Sequence, residues 1–133
     1  MGGGGGWHLG AHIGADWVAV ANGRERRTDS GERVRWDFSK TAPLPTYLFA
    51  FAAGPFEVIK QASEAGTARG LTDPMRVYVR PSKKKDLDAS TLIRMHADSV
   101  SWQATYFGYD YPFGKLDIVL CPGFPYGGME HAG

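Results

Sequence analysis

From Arg33 to Phe38 apolar side chains recur at every second position. Val34, Trp36 and Phe38 face one way and Arg33, Arg35 and Asp37 the other, which predicts a half-buried antiparallel strand. Upstream, Asp16 to Ala21 (DWVAVA) predicts a mostly buried strand, with Trp17, Ala19 and Ala21 alternating with Asp16, Val18 and Val20, and Asn22-Gly23 supplies a turn after it. Arg24 to Gly31 (RERRTDSG) is charged and turn-rich and reads as the exposed loop of a hairpin. Pro43 and Pro45 break pairing before YLFAFAAG, where Tyr47, Phe49 and Phe51 share one face and Leu48, Ala50 and Ala52 the other; one side is expected to pack into a core. Further strands are expected at Phe56 to Lys60 and, after a polar loop, at Met75 to Arg80, with Met75, Val77 and Val79 inward. Hairpin-scale connections between these strands predict an antiparallel sheet for residues 16–80.

At Pro81 the period changes. PSKKKDLD is basic and polar, which marks a boundary, and Lys83, Lys84 and Lys85 read as a solvated face because no glycine-rich loop accompanies them. Asp88 is placed to cap a helix whose apolar positions, Ile93, Ala97, Val100, Ala104 and Phe107, recur at helical spacing up to a stop at Gly108. After the aromatic turn YDYPFGK, Leu116 to Leu120 (LDIVL) reads as a short buried strand. The expected class is α+β: an antiparallel sheet, then one long helix and a short strand.

Charge removes some partners from this picture. Fifteen basic against 14 acidic residues leave a formal net charge of +1, so no global field points to nucleic acid or an anionic membrane. No run of about 18 apolar residues predicts a membrane span, and the start MGGGGGWHLGAH lacks the charged and apolar regions of a secretory signal, leaving the compartment open. The glycine run marks residues 1–15 as a disordered or artefactual tail. Cys121, the only cysteine, is expected to be a small buried hydrophobe.

The stretch with chemistry beyond the needs of a fold is Gly123 to Gly133, GFPYGGMEHAG. Gly127 and Gly128 admit another molecule's backbone to hydrogen-bonding distance, and Glu130 follows as a carboxylate able to hold a cationic amine. That pairing suits a reader of a peptide's free N-terminus. His8 and His12 have an i, i+4 separation, but Leu9 stands at the place of a general base and Gly10 disfavours a helix, so no metal is expected there. His96 is expected to be a packed or surface histidine.

PMRVYVRP, a helix, and then YFGYDYPFGKLDIVLCPGFPYGGMEHAG resemble the zinc-dependent aminopeptidase N family of gluzincin metallopeptidases, which includes the leukotriene hydrolase branch. RVRWDFSKTAPLPTYLFAFAAGPFE is similar to the sheet that precedes the catalytic domain in that family. The resemblance implies that residues 16–80 are the end of an N-terminal β-sandwich domain and that residues 81–133 open a thermolysin-like catalytic domain. The family's Gly-x-Met-Glu-Asn motif matches Gly127, Gly128, Met129, Glu130 and His131, so Glu130 would bind the α-amino group of a peptide substrate while the glycine backbone lines the peptide. His131 stands where asparagine is commoner, and a structural or tolerated role is expected for it. In the family a His-Glu-x-x-His helix, a further glutamate ligand and an oxyanion-stabilising tyrosine all follow this block. The chain is therefore expected to be a fragment of a zinc aminopeptidase that anchors substrate, binds no zinc itself, holds no complete catalytic set and is inactive alone. Two alternatives are a non-catalytic peptide-binding module and a parent with leukotriene-hydrolase-like epoxide chemistry.

Overall fold

A computed structural model describes residues 6–62, 68–127 and 129–133. The described chain is α+β, with antiparallel sheets, one long helix and a later strand, and it divides into two compact units.

The first unit holds the described residues up to Phe56 together with Pro122–Gly133. β1 (Leu9–Gly14), β3 (Glu25–Ser30) and β4 (Arg33–Phe38) form a three-stranded antiparallel sheet with β4 in the centre. Being central, β4 keeps the two-residue period expected of it: Val34, Trp36 and Phe38 are buried while Arg33 and Arg35 are exposed. β2 (Val18–Ala21) pairs antiparallel with β5 (Phe51–Gly54), and Ala19 and Ala21 join Val34, Trp36 and Phe38 in one apolar cluster.

Four local expectations are corrected in this unit. The tail assigned to residues 1–15 does not hold over Leu9–Gly14, which is strand β1; Leu9 and Ile13 pack on the cluster and give the strand an apolar face. Residues 1–5 lie outside the described chain. Arg24 to Gly31 is largely strand rather than loop, because Ser30 pairs with Arg33 across a two-residue turn and Gly31 takes the positive φ (66°) that such a turn needs at its first position. An edge strand tolerates charge, since only one side of it must pair. Trp17 precedes β2 and is 41% exposed, and Tyr47, Phe49 and Phe51 are exposed without the strand expected across YLFAFAAG running through all of them. Thr46–Leu48 is instead a 3-10 turn, which interrupts the alternation.

The second unit is Glu57–Cys121. β6 (Glu57–Lys60) pairs antiparallel with β7 (Arg76–Val79), and β8 (Asp117–Val119) pairs parallel with β7's other edge. Val77 and Val79 are buried as expected, and Tyr78 on the opposite face is buried as well, with the Arg76 guanidinium carbon 5.6 Å from its ring centroid. A short helix α1 (Pro81–Lys84) leads to α2 (Ala89–Phe107). Asp88 caps α2 by accepting from Thr91 N–H at 3.0 Å, and Gly108 ends it at φ 64°. Ile93, Ala97 and Val100 pack with Met75 and Val77, as the helical spacing predicts. Phe107 does not follow its predicted face: it is 71% exposed and borders a cleft of about 200 Å³ with Val100, Gln103, Ala104 and Tyr111.

Candidate functional site

The stretch Gly123–Gly133 is open at its start and tied at its end. Gly123 to Gly127 are exposed, with the Phe124 and Tyr126 rings edge-on at 5.8 Å. A Cβ added at Gly127 would meet nothing within 4 Å, and its φ is not positive, so neither crowding nor a left-handed backbone requires glycine there. Gly70 is a contrast: a Cβ there would lie 2.2 Å from the Tyr111 carbonyl oxygen, at φ 84°. Gly127 thus leaves free space beside its backbone, the space a second chain needs to approach. Gly128 lies outside the described residues.

Met129 is half-buried, while Glu130 and His131 are exposed. The His131 Nδ1 lies 3.4 Å from the Leu48 carbonyl oxygen, which accepts when the imidazole carries its proton on Nδ1. Ala132 is buried, and its carbonyl accepts from Asn22 Nδ2 at 2.7 Å. Gly133 has φ 99°, and a Cβ on it would lie 2.4 Å from the Asn22 carbonyl oxygen. The Glu130 carboxylate therefore projects from a backbone held two residues further on.

Asn22 is the residue that sequence reasoning missed. Besides holding Ala132, its Nδ2 donates to the Leu48 carbonyl at 3.0 Å, and its Oδ1 accepts from Ala50 N–H at 2.7 Å. Asn-Gly is fully explained locally as a turn, and nothing in the local pattern points to a partner 110 positions away.

Among the described residues, no group of three or more His, Cys, Asp or Glu side chains could hold a metal ion. His8 and His12 are exposed, and His12 lies on strand β1 rather than on a helix. The ligand set of a zinc enzyme does not fit the side chains described, and no step is assigned to zinc in this chain. His96 is half-buried on α2, its Nδ1 2.8 Å from the Leu92 carbonyl oxygen. Cys121 is exposed, contrary to expectation, because it lies beyond β8, past the last residue that bonds to the sheet, Leu120. No helix among the described residues is long and apolar enough to cross a membrane.

No family model matches the chain. Individual relatives do. It is similar to aminopeptidase N of Streptomyces lividans, 33% identical over 117 residues, which is 88% of this chain and 13% of that protein. The puromycin-sensitive aminopeptidase of Caenorhabditis elegans is 31% identical over 109 residues, 82% of this chain and 11% of that protein. Human glutamyl aminopeptidase is 31% identical over 100 residues, 75% of this chain and 10% of that protein. The chain belongs to the aminopeptidase N family. It spans between 10% and 13% of the length of these aminopeptidase N family relatives.

Proposed function

We propose that this chain is the amine-recognition segment of a zinc aminopeptidase, with Glu130 holding the free α-amino group of a peptide substrate. The observation that carries the reading is an exposed Glu130 carboxylate three residues from Gly127, whose backbone has open space beside it, in a chain of the aminopeptidase N family. A peptide's α-ammonium is a three-proton donor of the size that one carboxylate binds well, and the open glycine backbone offers a place for the peptide's own amide groups. A charge-assisted hydrogen bond of this kind contributes about 1.5 to 3 kcal/mol. That favours a free N-terminus over an internal peptide bond by about tenfold or more, which is the selectivity of an exopeptidase.

In this reading residues 16–80 are the end of the N-terminal β-domain, and residues 81–133 open the catalytic domain. Gly127, Gly128, Met129 and Glu130 are its substrate-contacting residues, and His131, the last position of the substrate-binding motif, serves the backbone near Leu48. Zinc belongs to the complete enzyme. There it supplies Lewis acidity and an activated water. The part assigned to this chain is to bind and orient, and the chain alone is not expected to hydrolyse peptides.

In the complete enzyme, Glu130→Ala is expected to lower kcat/KM for substrates with a free N-terminus by about ten- to a hundredfold while zinc content stays unchanged. Loss of zinc on that substitution would make Glu130 structural and end the reading.

A further inference from the structure

Asn22 spends every polar atom of its side chain on backbone groups that lie far away in sequence. Nδ2 donates to the carbonyls of Leu48 at 3.0 Å and Ala132 at 2.7 Å, and Oδ1 accepts from Ala50 N–H at 2.7 Å. The side chain thus joins the entry of β5 to the end of the glycine-containing stretch, both within the first compact unit. Gly133 meets the same residue from another side: at φ 99° its α-carbon faces the Asn22 carbonyl with no room for a Cβ, which would lie 2.4 Å from the oxygen. Two independent contacts, one polar and one steric, converge on Asn22.

Fixing residue 132 matters because of what surrounds it. Gly127 is uncrowded and the side chains of residues 123–127 are exposed, and among the described residues of 123–133 Ala132 alone is buried. A carboxylate on a backbone free to rotate loses that freedom on binding an amine, and the loss is subtracted from affinity. An anchor two residues beyond Glu130 removes part of the loss before the ligand arrives.

We propose that Asn22 is a positioning residue for amine recognition: by clamping Ala132 against the Leu48–Ala50 backbone it sets the Glu130 carboxylate in place. The proposal rests on the reading of Glu130 as the amine anchor, and its test separates the two. Asn22→Asp keeps an acceptor for the Ala50 N–H and removes both donated bonds. Gly133→Ala leaves the bonds to Leu48 and Ala50 intact and pushes the Ala132 end away from Asn22. For wild type and both variants, calorimetry measures the ratio of dissociation constants for N-acetylated and free trialanine, and amide hydrogen exchange is followed over residues 130–133. Both variants are expected to keep their circular dichroism, to exchange faster at 130–133, and to lose about three- to tenfold of the acetylation ratio. An unchanged ratio in either folded variant, with wild type discriminating, overturns the positioning role. If Asn22→Asp does not fold, Gly133→Ala decides alone. If wild type shows no discrimination, the amine-anchor reading fails; exchange then decides whether Asn22 holds the stretch, with unchanged rates overturning the clamp and faster rates supporting it.

Discussion

Asp88 shows how one side chain starts an element and carries a pH signature with it. Its carboxylate accepts from Thr91 N–H at 3.0 Å and from the Ser90 hydroxyl at 2.7 Å, and these bonds, the Thr91 backbone bond foremost, lower its pKa from 3.8 to about 2. A carboxylate held below its unfolded value stabilises the fold above that value. The contribution is lost as pH falls through the folded one, so it fades between about pH 4 and about pH 2. Asp88→Asn is expected to reduce the thermal stability of α2 at neutral pH, and the difference from wild type, followed by circular dichroism at 222 nm (a general helix probe), is expected to close towards pH 2. A difference independent of pH would contradict this account. The cap was legible because its chemistry is local: an aspartate just before a helical period needs only its own next turn. Glu130 is singled out by the order of its neighbours in a family motif. Asn22 is not, because its partners are brought together by folding, and an asparagine before a glycine already has a sufficient local explanation.

At the scale of elements, reading worked where one period ran without interruption. α2 was expected from Ala89 to Phe107 and has those ends, and β4 and β7 show the buried faces assigned to them. It failed where pairing outranks composition: β3 is a charged edge strand drawn into a sheet by a tight turn, and β1 follows a glycine run yet supplies the opposite edge. Nothing in the pattern announced that β8 pairs parallel with β7, which is fixed by the crossover through α2. An ion triad reinforces that pairing. Asp117 accepts two bonds from the Arg76 guanidinium, at 2.8 and 2.7 Å, and lies 2.8 Å from the Lys115 Nζ, with Asp117 and Lys115 both almost fully buried. Removing the shared carboxylate breaks the buried Asp117–Lys115 pair and the bidentate Arg76 pair together, so Asp117→Ala is expected to destabilise the second unit by about 3 to 5 kcal/mol. Urea unfolding checks this, and a loss below about 1 kcal/mol would contradict a stabilising role for the triad.

For the whole molecule, balanced charge leaves recognition to local surfaces. Trp102 stacks on Tyr106 at 5.1 Å, Tyr106 meets Phe107 edge-on at 5.0 Å, and all three are more than 60% exposed on the outer face of α2. Contiguous exposed aromatics of this kind are uncommon on monomers, so the chain is expected to bind an apolar dye and to lose most of that signal in a Trp102→Ser, Tyr106→Ser variant. Undiminished dye fluorescence in that variant would place the apolar surface elsewhere. The central claim concerns Gly127 to Glu130, where an exposed carboxylate follows open glycine backbone. Calorimetric titration of the wild-type chain and of Glu130→Ala with free and N-acetylated trialanine tests it most directly. The account predicts that wild type binds the free peptide at least about tenfold more tightly than the acetylated one and that Glu130→Ala abolishes the difference. Equal affinity of wild type for the two peptides, or a preference that survives in Glu130→Ala, would contradict it.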